Sequence, residues 1–466
     1  MAGPVTHEFW SSRFAFLMAA VGSSVGLGNL WRFSAEAGTN GGGAFVVVYV
    51  GCILLIGLPI LMSEFIIGRA SNAASAVNSV TDLAERSGVS RGWGSLAWVG
   101  MIASFLIVAF YCVVAAWVLS YIPKFLFGSF AGQEPEVISA QFGEMANNSG
   151  GVMWWFTGFV ILTAWLVSRG VHKGIEWAAK FLMPIFFILL FSLAAYGLFS
   201  SFGVEVTTEK GEVSNAGYQA MAFLFAPDFS KINMEVIRSA LGQAFFSIGI
   251  GSAIMITYGS YLSQSVNIPK SATIIVLTDT GVALMAGIAI FPIVFAHGLA
   301  VNSGAGLFFE TLPIALVSNP GGQFVGAAFF LLAIFAAVTS SISLLEPSVA
   351  YVMEKTGVSR KQVTWALGLV LWAVGAGVVH NTLEADSYMN FLDGITSTWM
   401  LPLSGMLVVL FVGWRMNKAL VDEQMHGTSP WAKALLLFLV RFVAPIAVGT
   451  ILVFGTWEKY LKPLFA

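Results

Sequence analysis

Long, uninterrupted apolar runs restrict what this chain can fold into more than any other feature. The run FVVVYVGCILLIGLPILM contains no charged residue, and crossing a bilayer as a helix takes about 20 mostly apolar residues. Eleven such stretches follow one another, and we number them in chain order as spans 1 to 11. The predicted spans are 11–33, 43–67, 93–122, 153–168, 177–200, 236–262, 272–296, 324–353, 363–380, 391–414 and 431–457.

Composition excludes most other classes of protein. Charged residues make up 10% of the 466 residues and hydrophobic residues 57%, whereas soluble domains carry about 25% charged residues. A soluble enzyme, a disordered scaffold and a nucleic-acid-binding protein are excluded, and no basic tract indicates nucleic acid as a partner. Continuous apolar runs indicate helices rather than the alternating strands of a membrane barrel. We therefore predict an all-α protein embedded in the lipid bilayer.

The distribution of Lys and Arg predicts how the chain is oriented. With the N-terminus in the cytoplasm, twelve basic residues lie on cytoplasmic flanks and six on the opposite side. This agrees with the excess of Lys and Arg found in the cytoplasmic loops of membrane proteins. Eleven spans then place the C-terminus outside, in a multi-pass protein of the inner or plasma membrane. The predicted outer loops are 123–152, 201–235 and 298–323. The last contains GLFFETLP, which is apolar but too short to span, and it is predicted to form a helical hairpin or a lid that dips into the outer face.

Glycine interrupts spans 1 and 6, in VGSSVGLGN and GQAFFSIGIGS. Each glycine costs about 1 kcal/mol relative to alanine inside a helix. Close helix packing is one interpretation of these glycines. The breaks also occupy corresponding positions in spans 1–5 and 6–10, which is typical of a transporter built from two inverted repeats. Unwound backbone there would offer carbonyls to a cation and N–H groups to an anionic part of a substrate.

Charged and hydroxyl side chains at membrane depth are a second unusual feature. Inserting each charge into the membrane costs about 2.5–3.5 kcal/mol on insertion scales. Such a residue therefore has a partner or a function, or lies near the end of a span and extends its side chain to the membrane surface. Asp279 lies deepest in apolar sequence, where a carboxylate flanked by threonines suits Na⁺ or a proton. Span 8 contains a cluster of hydroxyl residues, Thr339, Ser340, Ser341 and Ser343. These hydroxyls either bond back to their own helix or supply oxygens to a small hard cation. The charged residues concerned are Arg32, Glu64, Asp279, Glu346 and Asp393.

Together these motifs resemble the neurotransmitter:sodium symporter family, in its bacterial amino-acid branch. The resemblance is carried by W-x-x-R, GLGN, WRF and NGGGAF within 10–45, by GLP and E-F-x-x-G-R within 57–69, by GQAFFSIGIG at 242–251 and by TSSISLLEP at 339–347. It implies one transporter domain over 1–466 with a LeuT-type fold. Two inverted five-helix repeats would occupy 11–200 and 236–414, with span 11 (431–457) as an extra helix, and a central site would lie between spans 1, 3, 6 and 8.

The resemblance also implies two sodium sites. The first would use the Ser24 carbonyl, the Asn29 side-chain oxygen, Ser247, the substrate carboxylate and either Thr278 or Asp279; we favour Asp279 because ion binding would explain its insertion cost. The second would join spans 1 and 8. Its expected ligands are the carbonyls of Gly22, Val25 and Ala336 and the hydroxyls of Thr339 and Ser340.

Chloride is not expected as a cofactor. Relatives carry Ser (when chloride-dependent) or Glu (in some chloride-independent members) one turn beyond the span 7 cation ligand. Val282 stands at or near that position here, and Asp279 could supply the fixed negative charge instead.

The implied substrate is a small molecule, a neutral hydrophobic amino acid. Its carboxylate would meet the N–H groups of Leu27 and Gly28 and the Tyr111 hydroxyl. Glycine at 249 leaves room for large or aromatic side chains. The alternative is another small zwitterion or amine, such as GABA, betaine or taurine, which Ser24 disfavours because amine transporters of this family carry Asp there. The expected pocket residues are Ser24, Leu27, Gly28, Ile107, Tyr111, Phe246, Ser247, Gly249, Ser252, Ser340 and Leu344.

Two gates follow from the same resemblance. Arg32 and Asp393 would close the outer side, bridged by Gln243 above a Phe246 lid. Trp10 would plug the inner side with Tyr261 and Glu346. Glu64 would support the broken ends of spans 1 and 6, and His7 with Glu354 would replace the family's usual inner ion pair. No nucleophile, base and orienting acid form an enzyme's catalytic set, and the sequence leaves the oligomeric state open.

Overall fold

A computed structural model describes residues 8–71, 73–207, 213–299, 305–319, 321–381 and 387–457. In these ranges, nine continuous helices are long and apolar enough to cross a membrane. They correspond to predicted spans 2–5 and 7–11, in agreement with the run lengths. Their bounds are Gly43–Ala70, Arg91–Leu126, Ser149–Ser168, Val171–Ser201, Ile268–Ala296, Gly322–Thr356, Arg360–His380, Tyr388–Arg415 and Pro430–Thr456.

Spans 1 and 6 are each two helices, as the glycine breaks predict. Span 1 consists of Arg13–Ser24 and Gly28–Thr39, which meet at 53°. Span 6 consists of Met234–Ile248 and Ile254–Ser260. Every predicted span therefore has a helical counterpart in the described structure.

Shorter elements lie between the spans. Helices Ala76–Arg86 and Lys418–Gln424 connect spans 2 and 3 and spans 10 and 11. Helices Pro135–Asn147, Ala216–Phe225 and Leu307–Val317 lie in the loops predicted to be outside. In the loop after span 5, the three-residue strand Glu205–Thr207 pairs antiparallel with Val213–Asn215, with Glu205 opposite Asn215; the sequence did not predict this pairing. The predicted lid loop contains Leu307–Val317, whose Phe309 ring stacks 4.9 Å from that of Phe142.

Burial separates central from peripheral helices. Spans 3 and 8 pack against each other, and 78% and 83% of their most apolar windows are buried, against 22% for span 11. The largest buried side chains, including Tyr49, Phe65 and Tyr258, contribute to one continuous apolar core. Spans 3 and 8 thus form the framework that holds the broken spans, and span 11 lies at the edge.

The two breaks meet at the centre of the molecule. The Ser24 hydroxyl at the end of the first half of span 1 donates to the Ile248 carbonyl of span 6 at 3.3 Å. Between the halves of span 6, Gly249, Gly251 and Ala253 all adopt positive φ, and Ala253 is the one non-glycine residue that does so in the described part of the chain. A Cβ at Gly251 would collide with the Leu401 carbonyl of span 10.

Glu64 supports one break rather than both. Its Oε1 accepts a hydrogen bond from the Gly251 N–H at 2.9 Å, within the break of span 6. Its Oε2 is buried and has no hydrogen-bond partner among the described atoms. The expected bond to the broken end of span 1 is thus not formed, because the carboxylate lies on the side of span 6.

Candidate functional site

A buried carboxylate lies where the broken spans meet span 7. Asn29 Nδ2 donates to Asp279 Oδ1 at 2.8 Å, and the Ser247 hydroxyl donates to Oδ2 at 2.7 Å. The Tyr49 hydroxyl bonds both the Ser247 hydroxyl, at 3.2 Å, and the Asp279 carboxylate. Thr278, the alternative ligand, is partly exposed and makes none of these contacts. The structure therefore brings Asp279 together with Asn29 and Ser247, and leaves Thr278 apart.

The Asn29 amide differs from the expected arrangement. Its nitrogen faces Asp279, and its oxygen accepts the Gly26 N–H at 3.0 Å. A cation ligand must present oxygen. The Asn29 amide would therefore have to rotate to bring Oδ1 to a cation beside the Asp279 carboxylate. The rotation would exchange the bond to Gly26 for a bond to the ion.

The residues expected at the second sodium site also lie together. The Ser340 hydroxyl is 3.4 Å from the Gly22 carbonyl and 3.3 Å from the Val25 carbonyl. The Thr339 hydroxyl donates to the Ala336 carbonyl at 3.0 Å. This group joins spans 1 and 8 through uncharged oxygens. Within the described residues no cluster of three or more His, Cys, Asp or Glu could hold a metal. Carboxylate, hydroxyl and carbonyl oxygens suit hard cations rather than soft ones.

A small cavity of about 50 Å³ lies beside both clusters. The Tyr111 hydroxyl accepts the Leu27 N–H at 3.2 Å and bonds Ser340. A Cβ at Gly26 would lie 2.9 Å from Ser340 Oγ, so glycine permits this close approach. Ten of the eleven expected pocket residues line the cavity, and Leu27 lines the larger outer cavity instead. The ten are Ser24, Gly28, Ile107, Tyr111, Phe246, Ser247, Gly249, Ser252, Ser340 and Leu344.

An outer cavity of about 320 Å³ adjoins this pocket, and Gly28, Tyr111 and Phe246 line both. Arg32 and Asp393 line the outer cavity, and the Arg32 guanidinium lies 4.6 Å from the Phe246 ring centroid. Gln243 does not bridge these two charges. Its Nε2 donates to the Gly28 carbonyl at 3.1 Å instead, since its buried position faces the backbone of span 1.

Trp10 closes the opposite side. Its indole N–H donates to the Tyr258 carbonyl at 3.0 Å and its backbone N–H to the Tyr261 carbonyl at 3.1 Å. The Tyr261 hydroxyl donates to Glu346 at 2.9 Å, and Glu346 pairs directly with Arg360. The three residues expected at this gate are thus brought together.

The partner expected for His7 has another contact. Glu354 accepts the N–H groups of Ala74 and Ser75, at 3.1 and 2.9 Å. This carboxylate therefore satisfies backbone donors just before the helix Ala76–Arg86. His7 itself lies outside the described residues.

Several contact residues carried no distinguishing signal. Tyr49 lies in an apolar run and looks like any core aromatic. The sequence marks Arg360 only as a basic residue on a flank predicted to be cytoplasmic, yet its Nη1 lies 3.8 Å from Glu8 in addition to its pair with Glu346. An acid and a base that flank different spans give no sequence pattern that predicts their pairing.

The glycines of span 6 provide a stability test. A Cβ at Gly249 would meet only Ser252 Oγ, at 3.9 Å, but φ is +69°, so Gly249→Ala should cost roughly 1–2 kcal/mol. Gly251→Ala adds the collision with Leu401 and should cost more. Gly242→Ala, with nothing within 4 Å, should be neutral or stabilising. Thermal unfolding of the purified variants checks this order, and a Gly251 variant as stable as the Gly242 control would contradict it.

Comparison with known proteins places the chain. Residues 7–136 and 135–464 match the sodium:neurotransmitter symporter family. The uncharacterized sodium-dependent transporter YhdH of Bacillus subtilis is 36% identical and covers 94% of this chain and 95% of its own length. A sodium-dependent transporter of Haemophilus influenzae is 30% identical, with coverage of 96% and 98%.

A solved structure supports the same family and fold. The crystal structure of MhsT in complex with L-phenylalanine matches with a TM-score of 0.85 at 38% identity, over 96% of this chain and 99% of that one. The family and the fold expected from the motifs are confirmed. The chain therefore belongs to the sodium:neurotransmitter symporter family and is a sodium-dependent, multi-pass membrane transporter with a LeuT-type fold, not an enzyme.

Proposed function

We propose that the protein couples Na⁺ entry to uptake of a neutral hydrophobic L-amino acid by alternating access. The observation that carries this proposal is the buried Asp279 cluster beside the small pocket. Asn29 and Ser247 belong to both, since each bonds Asp279 and lines the cavity. A cation there and a substrate carboxylate in the pocket would each supply the charge that the other's desolvation requires.

The substrate class is supported by the pocket lining and by a relative. Ile107, Phe246 and Leu344 are apolar, and no charged side chain lines the cavity among the described residues. MhsT is solved with L-phenylalanine. A cavity needs about 10–15 Å³ to hold one water, so about 50 Å³ is small for such a side chain. Phe246 would move toward the outer cavity to admit it.

Two sodium ions and no chloride complete the proposal. Asp279 would ligate the first ion and provide the negative charge that makes chloride unnecessary. The second ion would replace the weak Ser340 contacts to the Gly22 and Val25 carbonyls, and so fix span 1 against span 8. Its binding would favour an outward-open arrangement to the extent that its affinity differs between the two states.

Alternating access would use the two gates in turn. Arg32, Asp393 and Phe246 would control the outer path, and Trp10 with the Tyr261–Glu346–Arg360 network the inner one. The moving parts belong to the repeats proposed at 11–200 and 236–414. The basic flanks support a cytoplasmic N-terminus, which places Trp10 on the cytoplasmic side.

Uptake into proteoliposomes tests the function. We expect an imposed inward Na⁺ gradient to drive accumulation of labelled Phe, Leu, Trp or Tyr, with no loss when gluconate replaces chloride. Replacement of Na⁺ by choline should abolish it. Tight vesicles that accumulate no neutral amino acid would contradict the proposal, and accumulation of GABA, betaine or taurine instead would favour the alternative substrate class.

A further inference from the structure

Span 11 carries a guanidinium, that of Arg441, that no acidic side chain of the described residues neutralises. Its helix, Pro430–Thr456, contains two charged residues, Lys433 and Arg441. Lys433 Nζ lies 3.8 Å from Asp422. Arg441 forms no ion pair with any residue that the structure describes, although span 11 is the least buried of the long helices. A charge within an apolar, lipid-facing span needs a counter-charge or a route to the headgroups.

Backbone and ring contacts hold this guanidinium on one side, and its carbon lies 5.8 Å from the Trp414 ring centroid. Arg441 Nε donates to the Gly413 carbonyl of span 10 at 2.7 Å, and the Trp414 indole N–H donates to the Arg441 carbonyl at 3.3 Å. Both helices form a π-helical turn here, at Phe411–Arg415 and Leu439–Val443. A Cβ at Gly413 would lie 3.1 Å from Arg441 Cγ. The Nη1 and Nη2 groups have no hydrogen-bond partner within the described ranges.

Span 10 indicates where Arg441 lies along the membrane normal. Trp414 is 55% exposed and directly precedes Arg415, where span 10 ends; Lys418 follows in the connecting helix. Exposed tryptophan and basic residues at the end of a span mark the level of the lipid headgroups. Arg441 is partly exposed at this level, so its free Nη groups are within reach of headgroup phosphate.

We propose that the seam between spans 10 and 11 binds an anionic phospholipid, whose phosphate accepts hydrogen bonds from the free Nη groups of Arg441. A guanidinium matches two phosphate oxygens in a bidentate arrangement. The exposed rings of Phe438 and Phe442 flank Arg441 on span 11 and would contact the acyl chains. An anionic lipid is favoured over a zwitterionic one because a choline or amine group partly neutralises its own phosphate. The site is separate from the substrate pocket and does not depend on the substrate class.

Native mass spectrometry of the purified full-length protein tests this site. Phosphatidylglycerol and phosphatidylcholine with the same acyl chains are titrated in turn. We expect the wild type to prefer phosphatidylglycerol, and Arg441→Gln to weaken its binding about fivefold, the contribution of one basic residue near a charged surface. Arg441→Lys should lose less because it keeps the charge. Arg169→Gln is the matched control. The Arg169 guanidinium lies 4.9 Å from the Trp165 ring at the end of span 4, much as that of Arg441 lies beside the Trp414 ring.

Three results would overturn the assignment. The first is equal phosphatidylglycerol binding by the wild type and Arg441→Gln. The second is an equal loss in Arg169→Gln. The third is displacement of the bound lipid by an equal concentration of inorganic phosphate, which would make this a site for free anions. Retained Na⁺-dependent uptake by Arg441→Gln in phosphatidylcholine vesicles would show that the variant is folded.

Discussion

Asp279→Asn is expected to reduce Na⁺-driven uptake more than a hundredfold. The carboxylate is fully buried and accepts hydrogen bonds from Asn29 and Ser247. The substitution removes the one negative charge that the protein itself supplies to the proposed first sodium site, and leaves only the substrate carboxylate to neutralise the cation. Losing one partner of a buried charged pair costs about 3–5 kcal/mol, and every 1.4 kcal/mol is about tenfold. The measurement is initial uptake rate against Na⁺ concentration in proteoliposomes.

Thr278→Val is the matched control for this prediction. Thr278 is the neighbouring residue on the same helix, is partly exposed, and takes no part in the hydrogen bonds of the Asp279 cluster. We expect its variant to keep a Na⁺ dependence close to that of the wild type. The opposite result, an inactive Thr278 variant beside an active Asp279 variant, would transfer the ion to Thr278. Thermal unfolding of both variants separates a lost ion ligand from a lost fold.

Features that depend on length and spacing could be predicted from the sequence. Span lengths follow from bilayer thickness, and the breaks of spans 1 and 6 follow from glycine clusters in apolar runs. The pairing of strands at 205–215 could not be predicted, because three-residue strands carry too few side chains for a period-two pattern. The positive φ of Ala253 could not be predicted either, since alanine disfavours that conformation and only the surrounding chain imposes it.

At the site, residue identity was predictable and side-chain direction was not. Ten pocket residues were named from motifs, but the motif does not fix which way an amide points. Gln243 bonds the Gly28 carbonyl rather than the outer charges, and the Asn29 nitrogen faces Asp279. Both choices are set by neighbours on other spans, which sequence spacing does not specify. The same reason explains why Tyr49 and Arg360 were missed.

We expect the second large effect in Glu346→Gln, at the proposed inner gate. Glu346 is completely buried and bonds both Tyr261 and Arg360. Its neutralisation leaves Arg360, whose side chain is 11% exposed, with Glu8 at 3.8 Å as its remaining acid. Breaking a buried pair costs about 3–5 kcal/mol. This cost destabilises the closed state and not the open one, because water in an open inner path would hydrate the Arg360 guanidinium.

The population of the state with an open inner path should therefore rise at least a hundredfold. The hydrogen bonds of Trp10 should break more often as a result. Its two bonds go to the backbone of Tyr258 and Tyr261, and the Tyr261 side chain is held by Glu346. Hydrogen exchange of the purified protein should be faster in the first half of span 1 in Glu346→Gln than in the wild type. Tyr261→Phe removes only one hydroxyl and should shift exchange in the same direction by less.

Glu354→Gln is the control that distinguishes a gate from general loosening. This carboxylate lies on the same helix as Glu346, but it bonds the Ala74 and Ser75 N–H groups and not Arg360. Exchange in the first half of span 1 should stay at the wild-type rate in this variant. Unchanged exchange in Glu346→Gln, or equal acceleration in both variants, would show that the Tyr261–Glu346–Arg360 network does not hold the inner path closed. Na⁺ at the proposed second site would bind the end of the first half of span 1. Added Na⁺ should therefore slow the accelerated exchange in Glu346→Gln.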